Sequence, residues 1–364
     1  RWEGTGLEGG AVPPVVDRRP VAQVVEELQG LIARGVRRVR LESHDLLEDP
    51  DYAHSLLEAL ANLNAQQPRK VRFETTVGIG ATHRQELLEQ LRRANVRRVG
   101  LALNAAELSH AHAHEDPRVA IEAVRMLLEH GIRVVGTLTV FRDGDDAQGW
   151  DAQAAVAREA HATPIPRAAR AFPGTPWYER LRASGRLHSI SREAELRQEL
   201  FDAPNFSTAG EDRTALADQL KAFILDLYSP GLIEERLQGL FREARRGPAG
   251  ELWPPRDDLE ALVRMLMGSL QHRDEQRIQL VGRALRSLAL QRPPVAIWSQ
   301  GLEQLLEEAA LRSFVLKSAE GRPLQADTPA VSLKQRAVGW AAKAVGALAQ
   351  RRAGSSQTHP DNAS

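Results

Sequence analysis

Several short stretches of this sequence gather side chains that can move protons or hold a charged ligand. Ser43-His44-Asp45 sets an imidazole beside a carboxylate, a pairing that general acid–base chemistry uses. The competing reading is a loop histidine followed by an Asp that caps backbone amides. Glu74 and Thr75 place a carboxylate and a hydroxyl at the end of a short β-branched run. Asn104 opens a polar stretch that ends in three alternating histidines, His110, His112 and His114. Alternating histidines in a strand would put three imidazoles on one face, a donor set suited to zinc or copper. This segment precedes a helix cap, however, and a solvated loop competes with a metal site at His110, His112 and His114. Asp143-Gly144-Asp145-Asp146 is a turn crowded with carboxylates, either ligand-facing or capping its own amides. It lacks the twelve-residue spacing and closing Glu of a calcium loop.

The elements that must position these groups repeat. Arg34-Gly-Val-Arg-Arg-Val-Arg-Leu41, Ala94-Asn-Val-Arg-Arg-Val-Gly-Leu101 and His130-Gly-Ile-Arg-Val-Val-Gly-Thr137 resemble one another. Each follows an amphipathic helix, passes through a Gly or Asn suited to a left-handed helix end, and enters a strand. Strands are expected at 36–41, 71–76, 96–103, 132–140 and 167–172. Pro20 opens a helix carrying Val21, Val24, Val25, Leu28, Leu31 and Ile32. Thr82 with Gln85 reads as a capping box, Asp116-Pro117 as a helix start, and Thr175-Pro176 as another that ends at Gly185. Strands alternating with helices make the class α/β with a parallel sheet and right-handed crossovers. Periodicity leaves a partial barrel and a doubly wound sheet both open. In a parallel βα barrel, chemistry gathers on the loops at the C-terminal strand ends. That rule selects the stretches above, together with Ala171-Phe-Pro-Gly-Thr175.

Composition narrows the function further. The chain has 364 residues, with 48 Lys and Arg against 48 Asp and Glu, so no long-range attraction to nucleic acid or an anionic membrane is expected. No apolar run is long enough to span a bilayer. No secretory signal opens the chain, which favours a cytoplasmic location. Cysteine is absent, which excludes disulfides, thiolate zinc sites and thiol nucleophiles within these residues. No phosphate loop, dinucleotide fingerprint or serine nucleophile elbow is present. From residue 191 the pattern turns helical, with two helices around Tyr228-Ser-Pro230, then helical stretches at 257–291, 295–319 and 333–350. The expected organisation is a βα barrel over 1–190, a helical extension over 191–250, a second helical region over 251–350 and a disordered tail over 351–364.

The order of these pieces resembles the radical SAM superfamily, in particular its cobalamin-binding members. Val39-Arg-Leu-Glu-Ser-His-Asp45 stands where that family has a strand ending in acidic or Asn residues. Gly131-Ile-Arg-Val-Val-Gly136 with Leu138-Thr-Val-Phe-Arg-Asp-Gly-Asp-Asp146 resembles its fifth strand and following turn. Phe172-Pro-Gly-Thr-Pro-Trp-Tyr-Glu-Arg-Leu181, closing on Gly185-Arg-Leu187, is the most specific likeness. The resemblance implies a partial (β/α)6-type, TIM-like barrel followed by an α-helical C-terminal extension. It implies S-adenosylmethionine (SAM) and a [4Fe–4S] cluster as small-molecule cofactors, with cobalamin possible through a domain outside this chain, and a substrate that the resemblance does not identify. In the family the cluster is held by a C-x-x-x-C-x-x-C loop, and reductive cleavage of SAM gives a 5′-deoxyadenosyl radical. On this basis Ser43, His44, Asp45, Glu74, Thr75, Asn104 and Asp143 are expected to line the SAM and substrate face.

Two readings of the missing cysteines follow. Either the chain begins just after the cluster loop, as its non-Met start suggests, or the loop has degenerated. Gly100-Leu-Ala-Leu-Asn104 lacks the Glu that the family carries after its fourth strand, and Phe141-Arg142 departs from its usual residues. The loop holding His110, His112 and His114 does not follow the family pattern either. These departures support the alternative of a non-catalytic binding or scaffolding protein on the same fold.

Overall fold

The computed structural model describes residues 18–43, 45–81, 84–103, 117–140, 154–188, 204–207, 213–244, 278–283 and 295–319. Five strands, β1 (Arg38–Arg40), β2 (Arg72–Thr76), β3 (Val96–Ala102), β4 (Arg133–Val140) and β5 (Thr163–Ala168), form one sheet in the order β1-β2-β3-β4-β5. Every neighbouring pair is parallel. A doubly wound sheet reverses its strand order where the crossovers change face. This order never reverses, which is the arrangement of a partial barrel and decides between the two topologies.

Between the strands lie α1 (Val21–Ala33, ahead of β1), α2 (Pro50–Ala65), α3 (Gln85–Arg93) and α4 (Pro117–Glu129), with a shorter helix at 154–159. Gly35, Asn95 and Gly131 have φ of 92°, 67° and 70°, so each repeat leaves its helix through the expected left-handed residue. α2 begins sharply because Asp49 accepts hydrogen bonds from the amides of Asp51 and Tyr52, and Pro50 fills the first turn. α3 starts at Gln85 with Arg84 at its N-cap, so Gln85 is too early to close the expected box; Thr82 lies outside the described residues. Buried Asn64 ties the layers together. Its amide nitrogen donates to the carbonyls of Val71 and Ala94, both at 3.0 Å, and its oxygen accepts from Val71 N at 2.8 Å.

The fifth strand is displaced from its expected position at 167–172. It runs through Thr163-Pro-Ile-Pro166, a stretch whose prolines argue against a central strand. Among the described residues β5 is an edge, and Pro164 and Pro166 turn the same way, away from β4. The Pro164 carbonyl is accordingly free of the ladder and accepts from the Tyr228 hydroxyl.

Beyond β5, α5 (Pro176–Ala183) is capped by the Thr175 hydroxyl, which accepts from Tyr178 N, and is left through Gly185 at φ 68°. Trp177 meets Phe206 edge to face at 5.0 Å, and Asn205 bonds the Ala171 backbone in both directions, 2.9 and 2.8 Å. Trp177 and Tyr178 thus pack a small satellite core with Leu181 and Leu187, as their types suggest. The helices α6 (Arg213–Leu227), α7 (Pro230–Ala244) and α8 (Val295–Ala319) follow. Ile224, Leu237 and Leu305 belong to the same hydrophobic core as Phe73, Val99 and Leu127. The boundaries expected at 190 and 250, the helix at 333–350 and the tail from 351 lie outside the described residues.

Candidate functional site

Strand geometry sorts the candidate residues by face, because side chains two apart share one side of a sheet. Phe73, Thr75, Val99, Leu101 and Leu138 are buried with the helices that follow the strands. The opposite face forms rungs. Arg38 pairs with Arg72; Arg40, Glu74, Arg98 and Arg133 follow in one row. Above them come Thr76, Gly100, Val135 and Thr163, then Ala102, Thr137 and Ile165, then Thr139 and Arg167.

The lower rungs are occupied by α8, which lies across them and supplies carboxylates. Glu303 meets Arg38 at 3.0 Å and Arg72 at 3.5 Å. Glu307 meets Arg133 at 2.8 Å and Arg98 at 3.6 Å, while Arg98 also reaches Glu74 at 3.5 Å. The space left among these groups is about 10 Å³, roughly that of a single water. Burial works against the Arg133 charge, but Glu307, Glu303 and Glu74 outweigh it and raise the guanidinium pKa. Beside this layer, Arg236 and Glu308 form a fully buried pair at 2.6 Å. Glu308 also accepts from the Thr163 hydroxyl at 3.0 Å and the Gln304 amide at 2.9 Å. Arg236 sits 5.7 Å over the Tyr228 ring, and burial pushes that phenol's pKa well up.

The upper rungs differ in kind. Thr76, Gly100, Ala102, Thr137 and Thr139 are small or carry one hydroxyl, and all are half-buried. They form a floor at the C-terminal ends of the strands, where a parallel barrel presents its site.

Of the expected site residues, Ser43, Asp45, Glu74 and Thr75 are described, and they occupy different places. Thr75 is 4% exposed and points to the helix side, because its neighbour Glu74 takes the rung face. Strand alternation therefore removes Thr75 from a ligand set on that face. Glu74 lies on that face, but low, paired with Arg98. Asp45 closes its own turn: its Oδ1 accepts from Leu47 N at 2.9 Å, and its carboxylate packs on Gly78. Ser43 is half-buried in the loop after β1. His44, Asn104 and Asp143 lie outside the described residues. So do His110, His112 and His114, the histidines weighed as metal ligands. Among the described residues no group of three or more His, Asp or Glu could hold a metal ion. Sequence reasoning misses the arginine row, although each of the three repeats shows its signal, an Arg soon after the helix-ending Gly or Asn. It misses the floor because small residues and threonines carry no chemical signature in sequence.

Comparison with known families addresses the first part of the chain. Residues 9–152 match the Radical SAM superfamily. This stretch is similar to a radical SAM domain. It contains β1 to β4 and therefore most of the floor. No curated protein matches the chain. Among solved structures, the chain is similar to TsrM from Kitasatospora setae, a radical S-adenosylmethionine methyltransferase. In the form with tryptophan substrate and the SAM analogue aza-SAM, identity is 18% over 48% of this chain and 35% of that one, with a TM-score of 0.40. In the form with cobalamin and a [4Fe-4S] cluster, identity is 15% over 82% and 57%, with a TM-score of 0.43. It is also similar to OxsB, a cobalamin-dependent S-adenosylmethionine radical enzyme with aqua-cobalamin bound, at 11% identity over 89% and 54% and a TM-score of 0.42. The chain spans only about a third to somewhat over half the length of these structures.

Proposed function

We propose that this chain supplies the SAM-binding half of a barrel for radical SAM-type chemistry. The observation that carries the reading is the small, hydroxyl-bearing floor at the C-terminal strand ends of a stretch similar to a radical SAM domain. Thr76, Thr137 and Thr139 offer hydroxyls to the polar edges of such a ligand, and Ser43, in the loop after β1, is a further hydroxyl for it. Gly100 and Ala102 add little side-chain bulk to the same face. The arginine–glutamate layer closes the floor from below and keeps it rigid. Bound SAM supplies a sulfonium activated for group transfer; the chain's own residues bind it, orient it and exclude water from one side.

These residues do not fit the iron–sulfur cluster. No cysteine exists among all 364, and no group of three or more His, Asp or Glu suited to a metal occurs among the described residues. Thiolates for a cluster would have to come from residues other than these, and no step is routed through it. The same holds for cobalamin, which the sequence resemblance assigns to a separate domain. Substrate and methyl transfer therefore belong to this proposal only as the class of chemistry.

Anaerobic incubation of the purified chain with iron and sulfide, followed by SAM titration, tests the reading. It predicts saturable SAM binding without a stoichiometric cluster. A chain that binds no SAM is a scaffold on a radical SAM fold, and the proposal is then wrong.

A further inference from the structure

We propose that His161 is an acid-sensitive latch joining the barrel to its C-terminal helices. His161 opens the approach to β5 with a φ of 56°, unusual for a residue with a side chain. Its ring lies directly on the backbone of α7 at Gly239, where a Cβ would collide with the imidazole. Its Nε2 lies 2.7 Å from an Arg242 Nη2. A guanidinium can only donate, so Nε2 is the acceptor and the ring is neutral, with its proton on Nδ1. Nδ1 itself is buried without a partner.

Protonation at Nε2 removes the acceptor and sets two cations in contact. The charged groups facing the ring come mainly from α7: Arg242, Glu243, Glu235 and Arg236. Arg236 is committed to Glu308, and Glu243 binds Arg242 Nε at 3.1 Å. Arg125 of α4 feels Glu243 from the other side. Nearby Arg158 and Asp226 neutralise each other at 2.7 Å. Burial first, then Arg242, lower the His161 pKa, against the opposing pull of Glu243 and Glu235. The sign follows. Below the ordinary histidine value of about 6.5, the released state takes up a proton that the latched state refuses. The latch therefore weakens as pH falls through that value, by up to about tenfold in the equilibrium per pH unit. Through Arg236 and Glu308 the loosening reaches α8, which covers the arginine rungs.

The test uses the full chain in two measurements. A histidine-selective NMR titration should place His161 below the ordinary histidine value of about 6.5. Hydrogen exchange of 230–244, corrected for intrinsic rates, should quicken several-fold between about pH 7.5 and 5.5. Arg242→Gln, which removes the facing cation and keeps a donor, should raise the His161 pKa and blunt the acceleration. His161→Gln should abolish it. A His161 titrating at or above the ordinary value of about 6.5 overturns the proposal, as does equal acid sensitivity in Arg242→Gln and the parent chain.

Discussion

Single residues carry unequal weight here because burial differs so widely. Arg236 and Glu308 are 1% and 0% exposed. Removing one partner strands the other charge in the core, so Arg236→Met should lower stability by about 3–5 kcal/mol. Adding Glu308→Gln should restore part of that loss, since it neutralises the stranded carboxylate. Urea unfolding of both variants and the double mutant checks this, and strictly additive losses would contradict it. Gly131 is a different case. Its φ of 70° is costly for any side chain, so Gly131→Ala should cost about 1–2 kcal/mol despite its conservative size. Thermal unfolding measures that directly.

Among elements, α8 gives the clearest hierarchy. Glu303 is shared between Arg38, whose side chain is 49% exposed, and Arg72, at 13%, while Glu307 binds Arg133 at 3%. Removing Glu303 leaves Arg38 to solvent and loses a 3.5 Å contact to Arg72, whereas removing Glu307 takes the 2.8 Å partner from a buried guanidinium. Glu303→Gln should therefore cost about 1–2 kcal/mol. Glu307→Gln should cost up to about 3 kcal/mol and quicken hydrogen exchange across 295–319. Equal losses would mean that α8 is held by its apolar residues alone. The sequence already shows much of this scale. The repeats locate β1, β3 and β4, and Thr175-Pro176 and Tyr228-Ser-Pro230 locate the ends of α5, α6 and α7. β5 is misplaced by local rules because Pro164 and Pro166 oppose a strand, and among the described residues its place at the sheet edge permits them. Thr75 is misassigned for a related reason. Glu74 and Thr75 look equally chemical in sequence, but strand alternation sends them to opposite faces. The long-range pairing of Glu303 and Glu307 with four strands has no local signal at all.

At the scale of the whole molecule, the chain divides its barrel face in two. The lower half is filled by arginines and the carboxylates of α8. The upper half is left to small residues at the strand ends. The absence of cysteine bears on the cluster and leaves this floor untouched, so SAM binding is the property to measure. Isothermal titration calorimetry of SAM against the parent chain and Ala102→Phe is the most direct measurement. A phenyl ring at position 102 would occupy the floor between Thr76 and Thr137. The account predicts saturable binding to the parent chain, lost in Ala102→Phe while its thermal unfolding stays close to the parent's. No binding to the parent chain, or equal binding to both, would contradict it.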